Sequence, residues 1–386
     1  MTQLFPKIKG DRVIWGVVII LSVFSILAVY SSTTTLAYRF KQGNTEYYLI
    51  KHMSILLFGF FLMYVAHKIK YVYYARISQV AVIISIPLLL YTLIFGASIN
   101  DASRWTTLPG VNIMFQPSDF AKLALIMFVA RMLAKKQDHI KDFRQAFLPI
   151  LMPILGICFL ILPANFSTAA ILFVTCFVLM FIGRVNLKYL FGMAGIGVVF
   201  LALFITFLAV SPKSSGRLGT WQNRIENFVH GDSEENYQVE QSKIAIARGG
   251  IVGKLPGNSM QKNFLPNPFN DFIYAIITEE YGLVGAIIIL LMYLILLYRG
   301  IIIVSKAPGN YGAFLAIGVT FSLVFQAMIN MAVAVNLMPV TGQPLPLVSM
   351  GGTSIWFTSI ALGIILSVSK ELESNQPEND PNYATT

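Results

Sequence analysis

The feature that most limits what this chain can fold into is a succession of long apolar runs separated by short polar breaks. A hydrocarbon layer of about 30 Å needs roughly 20 helical residues to cross it, so runs of about 18 or more are read as spans. About ten such runs fall near 13–31, 47–66, 74–96, 118–134, 146–163, 167–183, 188–210, 272–304, 311–338 and 350–369. Of the 386 residues, 56% are hydrophobic and 12% charged, whereas a soluble domain carries about 25% charged residues. Several runs exceed the usual length, which tilt or kinks absorb. No separate soluble domain and no internal repeat is visible. The expected fold is an all-α polytopic membrane protein, one domain over 1–386 with its spans between about 12 and 370.

Lys and Arg outnumber Asp and Glu by 28 to 18, a formal charge of +10. The placement of that charge argues against nucleic acid as a partner. With the N-terminus inside, cytoplasmic segments hold Lys7, Lys9, Arg12, Lys68, Lys70, Arg76, Arg131, Lys135, Lys136, Lys141, Arg144, Arg184, Lys188, Arg299, Lys306 and Lys370. The short outer loops hold only Arg39, Lys41 and Arg104. This positive-inside asymmetry predicts that both termini are cytoplasmic. The first span follows a basic start but lacks a clear small-residue cleavage site, so it reads as an uncleaved anchor. Cys158 and Cys176 fall inside spans with no metal-ligand spacing around them and read as apolar core. The tail 371–386 is polar, acidic and proline-containing, a composition expected to be disordered.

One connection is long. Residues 211–270 lie between the seventh and eighth runs and face outward under this topology. Connections of that length are functional or disordered. Trp221, Phe228 and Tyr237, with interspersed charge, predict an ordered cap resting on the membrane.

Between the last two runs, Asn336–Ser354 contains Pro339, Pro344, Pro346, Gly342, Gly351 and Gly352. Proline removes backbone donors and glycine favours turns, so no helix continues through it. Irregular backbone near membrane depth persists only where protein or a water-filled cavity satisfies its polar groups. The segment is therefore read as a re-entrant, cavity-lining loop, with Thr341 and Ser349 as candidate ligand contacts. Its Pro339, Thr341-Gly342, Leu345-Pro346, Ser349, Gly351-Gly352 and Ser354 closely resemble the late signature of the SEDS family (shape, elongation, division and sporulation).

Other strings carry the same resemblance over about 12–370. Leu265-Pro266, then Asp271-Phe-Ile-Tyr274, matches the family pattern L-P-E-x-x-T-D-F-I-[FY], whose aspartate is regarded as catalytic. Read alone, Asp271 at the start of the eighth run is equally a helix N-cap. Glu279-Glu280-Tyr281-Gly282 matches E-E-x-G. Ionisable groups inside a span mark function by default, with a buried ion pair as the structural alternative. Adjacent helical positions diverge by about 100°, so the two glutamates are expected to take different partners. Arg104-Trp105, Gly110, Gln116-Pro117-Ser118-Asp119 and Lys122 match a third pattern. There Arg104 offers a fork and Lys122 a point charge for pyrophosphate, unless the lysine only snorkels outward. Arg217, Arg224, Gln238, Gln241, Ser242, Arg248 and Gly249-Gly250 match a fourth in the long loop, where the arginines and Gln241 are candidate substrate contacts. Gly249-Gly250-Ile-Val-Gly253-Lys254 also resembles a phosphate-cradling loop, but no Walker A string is present.

Several positions depart from the family. Asn165 and Ser167 stand where it has an aspartate and a glycine, Asn267 replaces a glutamate, Asn270 a threonine, and Leu255 a glycine.

The resemblance implies a peptidoglycan glycosyltransferase that polymerises lipid II at the outer face of the bacterial cytoplasmic membrane. Asp271 would be the general base and the cations would hold the leaving pyrophosphate. It implies no certain cofactor, leaves room for a divalent cation, and implies a single-span class B penicillin-binding transpeptidase as partner, with other divisome or elongasome proteins. Gln261-Lys262 leans toward the FtsW-like division branch over the RodA-like elongation branch. The alternatives are a lipid II flippase, which needs polar groups at both faces, and a non-catalytic divisome scaffold.

Overall fold

The helices begin where short polar side chains stand before apolar runs. Asp11 accepts hydrogen bonds from the amides of Val13 and Ile14 and opens α1 (Arg12–Ser32). Asn44, Asn165 and Asn186 do the same for α3 (Thr45–Lys68), α7 (Phe166–Ile182) and α8 (Leu187–Val210), each satisfying amides that no intrahelical carbonyl reaches. Pro117 starts α5 (Pro117–Lys135), where its missing N–H costs nothing. The computed structural model describes residues 9–99, 102–107, 114–211, 219, 221–222, 234–307 and 309–374. The remaining helices are α2 (Thr34–Phe40), α4 (Tyr71–Phe95), α6 (Leu148–Ile161), α9 (Glu234–Gly249), α10 (Ile273–Lys306), α11 (Asn310–Ala334) and α12 (Thr353–Ser374).

Each apolar run of the sequence contains a helix, although 335–338 and 350–352 at the ends of the last two runs belong to the loop between them. Eight of the described helical stretches are long and apolar enough to cross a membrane. Of the other two runs, α7 is shorter at 17 residues and α5 carries Asp119, Lys122, Arg131 and Lys135. Burial explains α5. Ala121, Ala124, Leu125, Val129 and Ala130 are all fully enclosed, so Asp119 and Lys122 near its start need a partner in protein. The chain is not helical throughout: β1 (Ala97–Ile99), β2 (Ala102–Thr107) and β3 (Met114–Phe115) form a small antiparallel sheet between α4 and α5. Ala97 pairs with Trp105 and Thr106 with Phe115.

Close packing uses small residues, as expected where lipid removes the hydrophobic drive between helices. A Cβ on Gly363 of α12 would lie 2.4 Å from the Met63 carbonyl of α3, and one on Gly59 would lie 2.7 Å from Ser359 Oγ. α1 and α10 run antiparallel and are tied at both ends. Arg299 Nε donates to Asp11 Oδ2 at 2.7 Å, and Ser31 donates to Glu280 near the other end. Asp11 N also donates to Ser369 Oγ at 2.8 Å, which puts the start of α1 and the last turns of α12 at one end of the bundle.

Of the long loop, the described residues include α9 and the 250–270 segment that leads into α10. α9 packs on α10 and α11, and Ser242 Oγ donates to the Ala334 carbonyl at 2.7 Å. Residues 371–374, expected to be disordered, belong to α12, and 375–386 lie outside the described residues.

Candidate active site

The segment after α11 leaves the helix at Val335 and returns to it at Thr353. Gln343, Leu345, Leu347, Val348 and Ser349 are all buried, so its carbonyls need donors. Side chains from three helices supply them. Asn330 Nδ2 donates to Gln343 O at 2.8 Å and Gln326 Nε2 to Pro344 O at 2.9 Å, both from α11. Tyr293 of α10 donates to Pro346 O at 2.6 Å, and Ser25 of α1 to Val348 O at 2.8 Å. From Gln343 to Ser349 the loop is thus a fixed piece of the protein interior, while 335–339 are exposed.

This loop and α11 together hold the turn that carries Asp271. Asn330 Nδ2 also donates to the Asp271 carbonyl at 2.8 Å. Ser349 Oγ donates to Asn270 O at 2.6 Å and accepts from Leu345 N at 2.7 Å. Met350 N reaches Phe269 O at 2.9 Å. Three successive carbonyls, 269 to 271, are therefore pinned. Asp271 is half-buried, and Phe272, not Asp271, occupies the N-cap position of α10. Phe272 is 1% exposed and packs with Ile171, Ile329 and Val340. Those three also line a cavity of about 380 Å³ between α7, α8 and α11. Phe166, Phe204 and Trp221 complete its apolar wall, and Thr341 lies at the loop edge. Phe272, the residue after Asp271, thus belongs to the apolar cluster that backs three of the cavity's lining residues.

Lys122 does not snorkel. Its Nζ donates to Gln326 Oε1 at 2.7 Å and lies 3.9 Å from Asp119 Oδ1. The amine thus supports the glutamine that holds Pro344, which joins it to the loop beside Asp271. Arg104 lies on β2, with its side chain outside the described residues, and Arg217 and Arg224 lie outside them altogether. Arg248 is exposed in the last turn of α9 and Gln241 is half-buried earlier on the same helix. Ser349, expected as a substrate contact, has its hydroxyl engaged by backbone on both sides.

Glu279 and Glu280 are buried and turned toward residues 254–262. Glu279 pairs with Lys254 at 3.0 Å and accepts from the amides of Met260 and Gln261 at 3.3 and 3.1 Å. The expectation of separate partners fails at Ser259: its hydroxyl donates to Glu279 at 2.5 Å while its amide reaches Glu280 at 3.4 Å. A curled loop can meet two diverging side chains at once. Lys262 closes the cluster, donating to Gly257 O at 2.7 Å and to Ser31 Oγ at 3.3 Å.

The Gly-Gly run is a backbone crossing, not an open phosphate cradle. α10 breaks at Gly282 (φ 67, ψ −166), and the 249–253 turn lies in the break. Leu283 N donates to Gly250 O at 2.9 Å and Lys254 N to Glu279 O at 3.0 Å. A Cβ on Gly249 would meet Thr278 O at 2.0 Å, on Gly253 Glu280 O at 2.3 Å, and on Gly282 Ile251 O at 2.3 Å. Two sequence motifs with no visible connection are the two halves of one contact.

The departures from the family pattern resolve in part. Asn165 keeps a capping role, accepting from Thr168 N at 3.3 Å, and Gln343 donates to the Thr168 hydroxyl at 2.8 Å. Leu255 adopts φ 73, a left-handed conformation that glycine takes without strain. Asn267 is exposed. The residues that the sequence reading passed over are Gln326, Asn330, Tyr293 and Ser25. Their signal was present, since polar side chains inside apolar runs seek partners there. Among the described residues, no group of three His, Cys, Asp or Glu side chains is arranged to hold a metal.

The architecture has close counterparts among known proteins. A chain from a peptidoglycan synthase complex, studied for its coordination of polymerization and crosslinking, superposes with a TM-score of 0.75 at 22% identity, over 95% of this chain and 99% of that one. The Thermus thermophilus rod shape determining protein RodA gives a TM-score of 0.67 at 22% identity over 94% and 97%. Relatives by sequence include the probable peptidoglycan glycosyltransferase FtsW of Trichlorobacter lovleyi, 33% identical over 96% of this chain and 95% of that protein. The stage V sporulation protein E of Bacillus subtilis is 31% identical over 94% and 98%. The profile of the FtsW/RodA/SpoVE family, described as cell cycle proteins, matches residues 11–374. By fold, by motif and by sequence along nearly its whole length, the chain belongs to that family, the SEDS family of multi-pass membrane proteins.

Proposed function

We propose that this chain is a peptidoglycan glycosyltransferase that polymerises lipid II at the outer face of the cytoplasmic membrane, with Asp271 as its general base. The observation that carries this reading is the fixed turn at 269–271. Asn330, Ser349 and Met350 hold its backbone, and Phe272 beside it packs in the apolar cluster that backs a cavity of about 380 Å³. A carboxylate is what the chemistry lacks. Lipid II already carries a pyrophosphate leaving group, whereas the acceptor sugar 4-hydroxyl is a poor nucleophile until deprotonated. Asp271 takes that proton, the oxygen attacks the anomeric carbon, and the bond to the lipid pyrophosphate breaks with inversion. Arg104, Arg217, Arg224 and Arg248 are the cations available for the departing charge. The apolar cavity suits part of the polyprenyl chain. Lys122 acts through the Gln326 side chain, and Ser349, Glu279 and Glu280 through the backbones they hold.

A polymerase is favoured over a flippase by where the polar groups gather. Lys122, Gln326, Asn330 and Ser25 converge on the loop and turn around Asp271, whereas Asp11 at the other end of the bundle is tied up with Arg299 and Ser369. Similarity to a synthase complex supports a class B transpeptidase partner. Similarity to FtsW and to SpoVE supports a role in division or sporulation over elongation. The test is glycan polymer formed from labelled lipid II by purified protein, with and without that partner. Asp271→Asn keeps the size of the side chain and is expected to lower the rate by roughly 10²–10⁴. Wild-type turnover in folded Asp271→Asn protein would remove the base from this position.

A further inference from the structure

We propose that His52 is a positioning residue for the Asp271 turn, acting through Ser25 on the carbonyl of Val348; this rests on the glycosyltransferase reading above. His52 of α3 and Ser25 of α1 are both fully buried. Ser25 Oγ lies 2.8 Å from His52 Nε2 and 2.8 Å from Val348 O. A hydroxyl has one proton, and a carbonyl oxygen only accepts. With the serine proton directed at Val348, the contact to His52 exists only if the ring donates. The geometry therefore assigns the tautomer with hydrogen on Nε2. Nδ1 is then an acceptor, and it has no hydrogen-bond partner among the described residues.

The histidine decides which carbonyl the serine serves. Hydroxyls inside helices ordinarily turn back to a carbonyl three or four residues earlier in their own helix. Ser54, Ser78, Ser85, Thr175, Thr206 and Thr278 all do so here. Ser25 instead reaches across 323 positions of sequence to the re-entrant loop. A ring N–H aimed at Oγ fixes the rotamer and occupies the lone pair, leaving the proton for Val348. The next residue, Ser349, holds Asn270 O, and Met350 N holds Phe269 O. The path from His52 to the base is thus Ser25, the Val348–Ser349 peptide and the 269–271 turn, with no contact between His52 and substrate.

The experiment compares full-length His52→Leu, His52→Gln, Ser25→Ala and the Ser25→Ala/His52→Leu double variant, each recovered from membranes as monodisperse protein. Two quantities are read: kcat and KM for labelled lipid II, and amide hydrogen exchange of the 345–352 segment. Loss of one hydrogen bond in the chain is expected to lower kcat about five- to tenfold, leave KM unchanged, and speed exchange at 348–350. Glutamine places an N–H close to the imidazole Nε2 position, so His52→Gln is expected to restore both. The double variant should be no worse than Ser25→Ala, because residues acting through one contact do not add. Should His52→Leu not fold, His52→Asn, whose amide falls short of Ser25, takes its place with the same expected loss. Normal kcat and exchange in His52→Leu, or strictly additive losses, would overturn the proposal. A wild-type protein that makes no polymer even with its transpeptidase partner would end the glycosyltransferase reading, and the exchange data would still decide the relay.

Discussion

Asn330 ties Asp271 to the re-entrant loop with a single nitrogen: its Nδ2 lies 2.8 Å from the carbonyl oxygens of both Asp271 and Gln343. A side-chain amide nitrogen carries two protons, so each oxygen receives one. Asn330→Asp keeps the shape and removes both donors, setting carboxylate oxygen against two carbonyls. Leaving buried acceptors unpaired costs about 1–3 kcal/mol each. We expect Asn330→Asp to lower polymerisation more than tenfold and to melt earlier than Asn330→Ala. Initial rates and thermal unfolding of the purified variants test this, and equal behaviour of Asp and Asn at 330 would separate the contact from catalysis.

The crossing at the α10 break predicts a sharp contrast between neighbouring glycines. Gly249 has carbonyl oxygen 2.0 Å from where its Cβ would sit, whereas Gly250 has nothing within 4 Å and a φ of 55. Gly249→Ala must separate two backbones, and folded protein should be lost from detergent extracts. Gly250→Ala carries only the left-handed penalty of about 1–2 kcal/mol and should be recovered. Size-exclusion profiles of the two variants are the measurement, and similar recovery of both would contradict the close approach.

Leu255 offers the opposite change. It holds φ 73 with its side chain 65% exposed, so little packing is lost on truncation. Leu255→Gly removes the left-handed strain at some cost in unfolded-state entropy. The net expectation is stabilisation of about 0.5–1 kcal/mol, read as a higher unfolding temperature. A lower one would mean that the exposed leucine is held by a partner.

Orientation can be tested at two exposed positions on opposite sides of the bundle. Asn258→Cys should react with an impermeant thiol reagent in intact spheroplasts, and Asp138→Cys should not. The native Cys158 and Cys176 are buried and should give little background. Labelling at 138 would invert the assigned topology and put Asp271 on the wrong side for lipid II polymerisation.

The helices were readable because membrane spans announce themselves by length, and the loop at 336–352 because proline and glycine forbid helix. What was hidden is which backbone each group faces. Gly249, Gly253 and Gly282 stand in two separate strings, and no local rule says that one fills the break made by the other. Glu279 and Glu280 point apart as helix geometry requires, yet Ser259 bridges them because the loop folds back over both. Lys122 sits in a first turn where snorkelling is ordinary; only the neighbouring α11 shows that Gln326 waits for it. The sheet at 97–115 was missed because its strands are short and lie beside a dominant apolar signal.

The paired ends of α1 and α10 act as a ruler. Asp11 and Ser31 are about twenty residues apart, as are Glu280 and Arg299, and at ~1.5 Å per residue each interval is roughly 30 Å, the thickness of a bilayer core. Sliding one helix past the other would break the ion pair at one end and the carboxylate contact at the other together. A thinner or thicker bilayer must therefore be met by tilting the pair as a unit or by deforming the lipid. Glu280 lies in the same helix that Asp271 precedes, so the contact from Ser31, at the opposite end of α1 from Asp11, helps fix where the aspartate turn sits along the bundle.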